Sequence, residues 1–290
     1  MEAITPIEGM SFGCDPELFI VDSKGNPVSP EEFLPGTKTE PYKVNKGAIQ
    51  VDGMAAEFNI DPANTFEDFN GNINAVMESL RDMVPSKYSF AIQPSIHFSK
   101  EVFDNASAGA KELGCTPDFN AWRGEVNSPP DPSNDPYMRC AGGHVHIGWT
   151  NDESVSNIQH VMNCSDLVKQ LDWYVGLWSL TKDKDTLRRN LYGKAGACRI
   201  KPYGVEYRTL SNFWLKDEET RLELWNRMNT AINRMKDVFM PDWSKKKVNY
   251  NFTHRVIHSI DSGVIDKNIA HFFTSFPISQ VSIVKIDNTK

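Results

Sequence analysis

The 290-residue chain has no pair of cysteines at CxxC spacing, and its total is odd: Cys14, Cys115, Cys140, Cys164 and Cys198. A disulfide framework and a structural zinc site therefore both lack support. Reduced, mostly buried thiols of a cytosolic protein are the expectation. No apolar run approaches the roughly 18–20 residues of a membrane helix. Residues 1–9 carry Glu2 and Glu8 and no basic residue, which does not suit a secretory signal. There is no dense Lys/Arg stripe, and 31 basic against 38 acidic residues leave a net charge of −7. That balance argues against a nucleic-acid backbone as the main partner. It still allows an anionic nucleotide bound through metal ions. No Gly/Ser/Pro-rich linker cuts the chain and no repeat is visible, so the length fits one large domain or two small ones. GxxxxGK[ST], GxSxG and HExxH are all missing.

What is present is a globular composition, with 40% hydrophobic, 24% charged and 11% aromatic residues. Residues 10–22 read as a strand through Phe12, Leu18, Phe19, Ile20 and Val21, with Pro16 predicting a bulge or a sheet edge. Residues 48–60 read as two strands around an Asp52-Gly53 turn. Residues 66–84 read as a helix, with Phe69, Ile73, Val76, Met77 and Leu80 at helical spacing and Asn64 or Thr65 as its cap. Strands are predicted over 88–98, 141–150 and 205–210, and long helices over 153–180 and 217–239. The first of those helices is expected to bury Val155, Ile158, Met162, Val168, Leu171 and Val175. A short helix is expected from Val256 and a strand over 281–286. Residues 115–139, with five prolines among Asp and Asn, read as a long ordered loop or a lid. Strands and helices come in blocks, which favours an α+β fold with an antiparallel or mixed sheet and helices packed on one side.

Four clusters carry candidate chemistry. In Gly13-Cys14-Asp15-Pro16-Glu17, strand alternation puts Asp15 and Glu17 on one face. Two such acids repel unless a cation sits between them, and oxygen-only ligands suit Mg²⁺ or Mn²⁺. In the segment 51–59, Glu57 stands among Ala55, Ala56, Phe58 and Ile60, where a lone carboxylate needs a partner or a metal; an outward-facing Glu on a half-wet sheet is the alternative. In the segment 141–148, His144 and His146 face one way on an apolar strand. The flanking glycines have no evident packing rationale and leave room for a ligand. Such a face suits a phosphate chain, a nucleobase or a metal. The fourth cluster is the basic run from Arg188 and Arg189 through Lys194 and Arg199 to Lys201, interleaved with Gly193, Gly196 and Gly204. Arginines in such a loop bind phosphate bidentately. Glu206 and Arg208 then alternate to one face of the next strand. The inventory fits a nucleoside triphosphate held by two or three Mg²⁺ ions, with arginines on the transferred phosphoryl group.

In this order, the segments FGCDPELF, VDGMAAEFNI, AGGHVHIG and RRNLYGKAGACRIKPYGVEYR resemble the phage-type COOH·NH2 ligases. These amidoligases belong to the glutamine synthetase-like carboxylate–amine ligases, together with relatives of glutamate–cysteine ligase. The segments span residues 12–208, and the part after Leu215 carries no matching motif. The resemblance implies one ligase domain over 1–290, built on a curved, mostly antiparallel sheet with flanking helices and a site on its concave face. It implies ATP-dependent activation of a carboxylate to an acyl phosphate, which an amine attacks to give an amide or isopeptide bond. Glu17, Glu57 and Glu206 would hold Mg²⁺, or Mn²⁺ in its place, with Asp15 beside them where relatives carry Glu. His144 or His146 would touch the metal or the ATP phosphates. Arg199 and Arg208 would hold the γ-phosphate and the acyl phosphate, with Arg189 and Lys194 as further contacts to ATP. The partners implied are small-molecule or peptide carboxylates and amines, not a membrane or a nucleic acid, and an oligomer stays open. The setting implied is the cytoplasm, that of the host if a phage carries the gene.

Two other readings compete. A metal-dependent hydrolase would bind zinc through His144, His146 and a Glu, but it leaves the arginine-glycine loop unexplained. A non-catalytic nucleotide-binding module would keep three acids in a cleft without a metal, which is costly.

Overall fold

A computed structural model describes residues 1–112, 117–131, 133–236, 248–267 and 269–270. Cys115, the strand expected over 281–286 and the end of the helix expected to reach 239 lie outside the described residues. In chain order the elements begin with β1 (Ser11–Val21), β2 (Pro27–Val28), β3 (Tyr42–Val44), β4 (Gly47–Asp52), β5 (Ala55–Ile60) and α1 (Phe66–Met83). Next come β6 (Ser89–Ala91), β7 (Ser95–His97), α2 (Lys100–Asn105), α3 (Ala108–Lys111), β8 (Phe119–Asn120), β9 (Glu125–Val126), β10 (Met138–Cys140) and β11 (Gly143–Gly148). The rest are α4 (Ile158–Leu171), α5 (Leu177–Lys182), α6 (Arg188–Leu191), β12 (Ala197–Lys201), β13 (Gly204–Tyr207), α7 (Glu218–Lys236) and α8 (Val248–Ser262).

The fold is α+β. Eleven strands form one sheet in the order β3-β4-β5-β1-β11-β13-β12-β8-β9, with β2 and β6 also on β1. The pairings are antiparallel, as the blocks of strands led one to expect. One expectation is corrected at once. β1 is the central strand, with Pro16 inside it at the last register position of the β11 ladder, opposite Gly143. A proline is tolerated there because that ladder ends beside it. Residues 88–98 are not one strand but two, β6 on β1 and β7 on β10 in a separate two-stranded sheet.

Helices close one face of the sheet. In α1, Phe66, Phe69, Ile73, Val76 and Leu80 are buried, and Thr65 caps it by accepting the Asp68 N–H at 3.1 Å. Trp225 of α7 is fully buried and meets the rings of Phe12, Phe69 and Phe66, with centroids 4.5, 5.5 and 6.1 Å away, so one side chain joins β1, α1 and α7. The helix expected over 153–180 starts later and breaks. Asn157 caps α4, and residues Asp172–Gly176 form a single π turn before α5. Val168, Leu171 and Val175 are buried as expected, whereas Val155, Ile158 and Met162 are exposed. These three fall before or within the first turns of α4 and face away from the sheet, which that part of the helix meets through the buried His160, 2.8 Å from the Lys201 carbonyl.

Cys14, Cys164 and Cys198 are buried free thiols, and Cys140 is half-buried. No helix among the described residues is long and apolar enough to cross a membrane.

Candidate active site

The other face of the sheet carries the charged residues, and period 2 is the reason. Asp15 lies opposite His144, His146 opposite Glu206, and Glu206 opposite Arg199. Glu17 lies opposite Glu57, which in turn lies opposite Gln50. Asp15, Glu17, Glu57, His144, Arg199, Lys201, Glu206 and Arg208 all line one cavity of about 380 Å³. The cavity is split electrically along the sheet.

At the β13 end the charges are paired. Glu206, with no exposed surface, contacts Lys201 Nζ at 2.8 Å, Arg199 Nη1 at 3.6 Å and Arg208 Nη1 at shorter range. Burial and Asp15 push its acidity the other way, but Arg208, His146 and His144 outweigh them and hold it at about 2. Arg208, itself buried, also reaches Asp118 Oδ1 with Nε at 2.6 Å and His144 Nδ1 with Nη1 at 3.2 Å. Asp15 takes His146 Nε2 at 3.0 Å and His144 Nδ1 at 3.4 Å. Burial alone would raise its pKa, but the two imidazoles hold it well below the usual carboxylate range.

At the β1–β5 end carboxylates predominate, with Lys38 paired to Asp52 at 2.7 Å and Glu17 facing Glu57. Glu17 Oε2 accepts the Gly142 N–H at 2.8 Å, and Glu57 Oε2 accepts from Gln50 Nε2 at 2.7 Å. No ion pair reaches either among the described residues. Burial and the Asp52 carboxylate push Glu17 up. Burial, then Asp15, Glu17 and Asp52, push Glu57 well above the ordinary value. Like charges directly opposite on neighbouring strands destabilise a sheet unless a proton or a cation comes between them.

The donor chemistry fits a hard divalent cation at that end, where carboxylate oxygens outnumber every other donor. A second group, Asp15, His144 and Glu206, offers one atom each within 4.8 Å of one another. There, however, the basic side chains already balance Glu206.

Three residues expected at the site lie elsewhere. Arg189 is buried away from the cavity, where its guanidinium donates to the carbonyls of Gly193 and Ile260 at 3.2 and 3.1 Å. It anchors the basic loop from behind, since a buried guanidinium must spend its donors on carbonyls in reach. His146 sits behind Asp15, with Nδ1 against the Tyr203 hydroxyl at 2.5 Å. Lys194 lines a neighbouring cavity. The glycines around His144 also have a packing role after all. A Cβ on Gly142 would come within 2.3 Å of the His144 ring, and one on Gly143 within 2.2 Å of the Ser211 carbonyl.

Sequence reasoning gave Gln50 no role, and it placed Lys201 in the basic run and Asp118 in the proline-rich loop without assigning either to the site. Lys201 was legible, two residues beyond Arg199 on β12. Gln50 was legible from the hairpin that sets it opposite Glu57. Asp118 had no local signal.

The neighbouring cavity, about 610 Å³, adjoins the first at Asp118 and Tyr192, which line both. Its walls come from the proline-rich loop and from residues 187–194. The loop expected as a lid thus forms a wall of this second cavity. Its backbone is tied down at the β8 end, where Asn120 Oδ1 accepts the N–H groups of Trp122 and Arg123 at 3.0 and 3.1 Å.

Residues 134–270 match the sequence model of the family described as phage phiEco32-like COOH.NH2 ligase-type 2. That is the family the four segments resemble, and the match reaches beyond the last of them into the helical C-terminal part. Among curated proteins none matches the chain. Among solved structures the chain is similar to a bifunctional glutathione synthetase from Pasteurella multocida, at 10% identity and a TM-score of 0.47. That likeness covers 92% of this chain and 49% of the other, so the chain spans about half the length of that synthetase. It is similar also to a GmaS–ADP complex, at 11% identity and a TM-score of 0.38, covering 92% of this chain and 68% of the other. At such scores neither likeness bears on function.

Proposed function

We propose that this chain, a carboxylate–amine ligase by family over residues 134–270, uses ATP to join a carboxylate to an amine through an acyl phosphate. The observation that carries the reading is the split cavity. Like-charged Glu17 and Glu57 stand at one end, and Arg199, Lys201 and Arg208 stand at the other. A triphosphate bound with divalent cations is the ligand that satisfies both ends. The whole chain is read as one ligase domain, with a glutamine synthetase-like sheet and a cytoplasmic setting.

Glu17 and Glu57 would hold Mg²⁺, or Mn²⁺ in its place, with Asp15 and Glu206 completing the acidic wall. Bound there, the ion would neutralise charge on the phosphates. His144 Nδ1 lies 3.4 Å from Asp15 and 3.2 Å from Arg208, so it either donates to the carboxylate or accepts from the guanidinium. His146, clamped by Tyr203, fixes Asp15 from behind. Arg199 and Arg208 would bind the transferred phosphoryl group, where preorganised donors meet the charge that develops in the transition state. A carboxylate is a poor electrophile, and phosphorylation supplies its leaving group. The protein's own work is positioning and charge stabilisation.

The test is release of ADP and phosphate from ATP and Mg²⁺ with pooled carboxylates and amines. The expected outcome is release that needs both pools and falls at least about 100-fold in Glu57→Gln. Phosphate release that needs neither pool, or that survives the substitution, overturns the reading.

A further inference from the structure

Helix α8 takes no part in the reading above, yet it carries a pair of side chains with metal chemistry. His254 and His258 stand one turn apart on it, and both are exposed. Residues four apart share one helix face, with Cβ atoms about 5–6 Å from each other. The two imidazoles lie side by side, with ring centroids 6.4 Å apart and planes 16° from parallel. Two histidines at this spacing bind one ion together when their nitrogens converge. Metal–nitrogen bonds of ~2.0–2.1 Å require the nitrogens to lie within about 4 Å of each other. Both rings stand at the surface, where rotation about χ1 and χ2 brings the nitrogens to that separation. The surroundings favour a cation. α8 ends at Ser262, and its last turn holds Asp261 and no basic residue, so the negative end of the helix dipole is not offset there. Arg255, on the same helix, is spent on Asp266 at 2.9 Å.

We propose that His254 and His258 form a second metal site, which chelates one transition ion of the Zn²⁺, Cu²⁺ and Ni²⁺ class, with water completing its coordination. Imidazole donors select these ions, whereas the carboxylates at Glu17 and Glu57 suit Mg²⁺ or Mn²⁺. The site is separate from the cavity and independent of the ligase reading. It has a direct consequence for that reading's rival. Zinc recovered with this protein does not by itself mark His144 and His146 as its ligands.

The test is calorimetric titration of the full chain, without a histidine tag, using Ni²⁺ in the presence of excess Mg²⁺. The Mg²⁺ competes for oxygen sites and leaves imidazoles open. The wild type is expected to bind an equivalent of Ni²⁺ that depends on both histidines. His254→Gln and His258→Gln are each expected to weaken it at least about tenfold, the least that even an outer-shell change costs many metal sites. The double variant is expected to add little, because losing either ligand already breaks the chelate. All three variants are expected to melt with the wild type in chelator, since both positions are exposed and glutamine is a good helix former. No Ni²⁺ binding by the wild type, or binding that survives the double substitution, overturns the proposal. So do single losses that add up to the double one, which would mean two independent imidazoles and no shared ion.

Discussion

At the scale of single residues, Arg208 carries the most. Its guanidinium serves Glu206, Asp118 and His144 at once, and only 7% of its side chain is exposed. Removing it strands the buried Asp118 and leaves the buried Glu206 with Lys201 and Arg199 alone. Arg208→Ala is therefore expected to cost about 3–5 kcal/mol, read as a lower urea midpoint. Arg208→Lys keeps the charge but has no planar fork to hold Glu206 and Asp118 together. It is expected to fold, with ADP release about 100-fold slower through kcat. A lysine variant with full kcat would remove Arg208 from the chemistry. The arginine was legible as a candidate because Glu206 and Arg208 alternate on one strand. Its partner Asp118 was not, because it comes from a loop remote in sequence, and only the folded sheet brings the two together.

At the scale of elements, the break between α4 and α5 shows where periodicity runs out. The apolar positions of residues 158–182 continue across it, so the pattern alone reads as one helix. The π turn at Asp172–Gly176 rotates the chain and buries Asp172 completely. That carboxylate accepts from Trp122 Nε1 at 2.6 Å, the Gly196 N–H at 2.7 Å and the Tyr207 hydroxyl at 2.8 Å. It thereby ties the glycine loop and β13 to the helix layer. Burial pushes its pKa from 3.8 up to about 7, with the three donors working against a larger rise. The folded state thus binds the proton more tightly than the unfolded chain. The stability this supplies is complete below pH ~4 and is lost as pH rises through ~7, on the order of 3–4 kcal/mol. Asp172→Asn holds a neutral group there at every pH. The gap between wild-type and Asn-variant urea midpoints is expected to shift against the wild type from pH 5 to pH 8. A gap that stays constant would mean that Asp172 does not titrate in this window. The hairpin of β12 and β13 is a second element with one demanding position. Gly204 has φ +151°, and a Cβ there would sit 2.1 Å from the Ile147 carbonyl oxygen. Gly204→Ala is expected to cost about 1–3 kcal/mol from the backbone alone, seen as a lower melting temperature.

At the scale of the whole molecule, the sheet has two faces of opposite character. The helix-covered face is dry, with Trp225, Trp214, Phe69 and Phe12 fully buried, and its burial supports the strained charges on the other face. The block order of strands and helices made the α+β class legible. The strand order was not, because nothing local marks β1, the first strand in the chain, as the centre of the sheet, and Pro16 argued for an edge. That central placement is what sets Glu17 against Glu57 and creates a like-charged pair inside a folded protein. The consequence is measurable without any substrate. In chelator-treated protein the pair destabilises, so Glu57→Gln is expected to melt higher than the wild type, with Gln50 still donating to the new side-chain carbonyl. With Mn²⁺ added the order reverses. A cation that binds only the folded state adds RT ln(1 + [L]/Kd), about 2.7 kcal/mol at a hundredfold excess over Kd, and only the wild type retains both ligands. An order that does not cross on adding metal, in either direction, would place the cation elsewhere in the cavity. Among the described residues the other candidate is Asp15, His144 and Glu206, where a metal would have to displace Lys201 and Arg208 from their present partner.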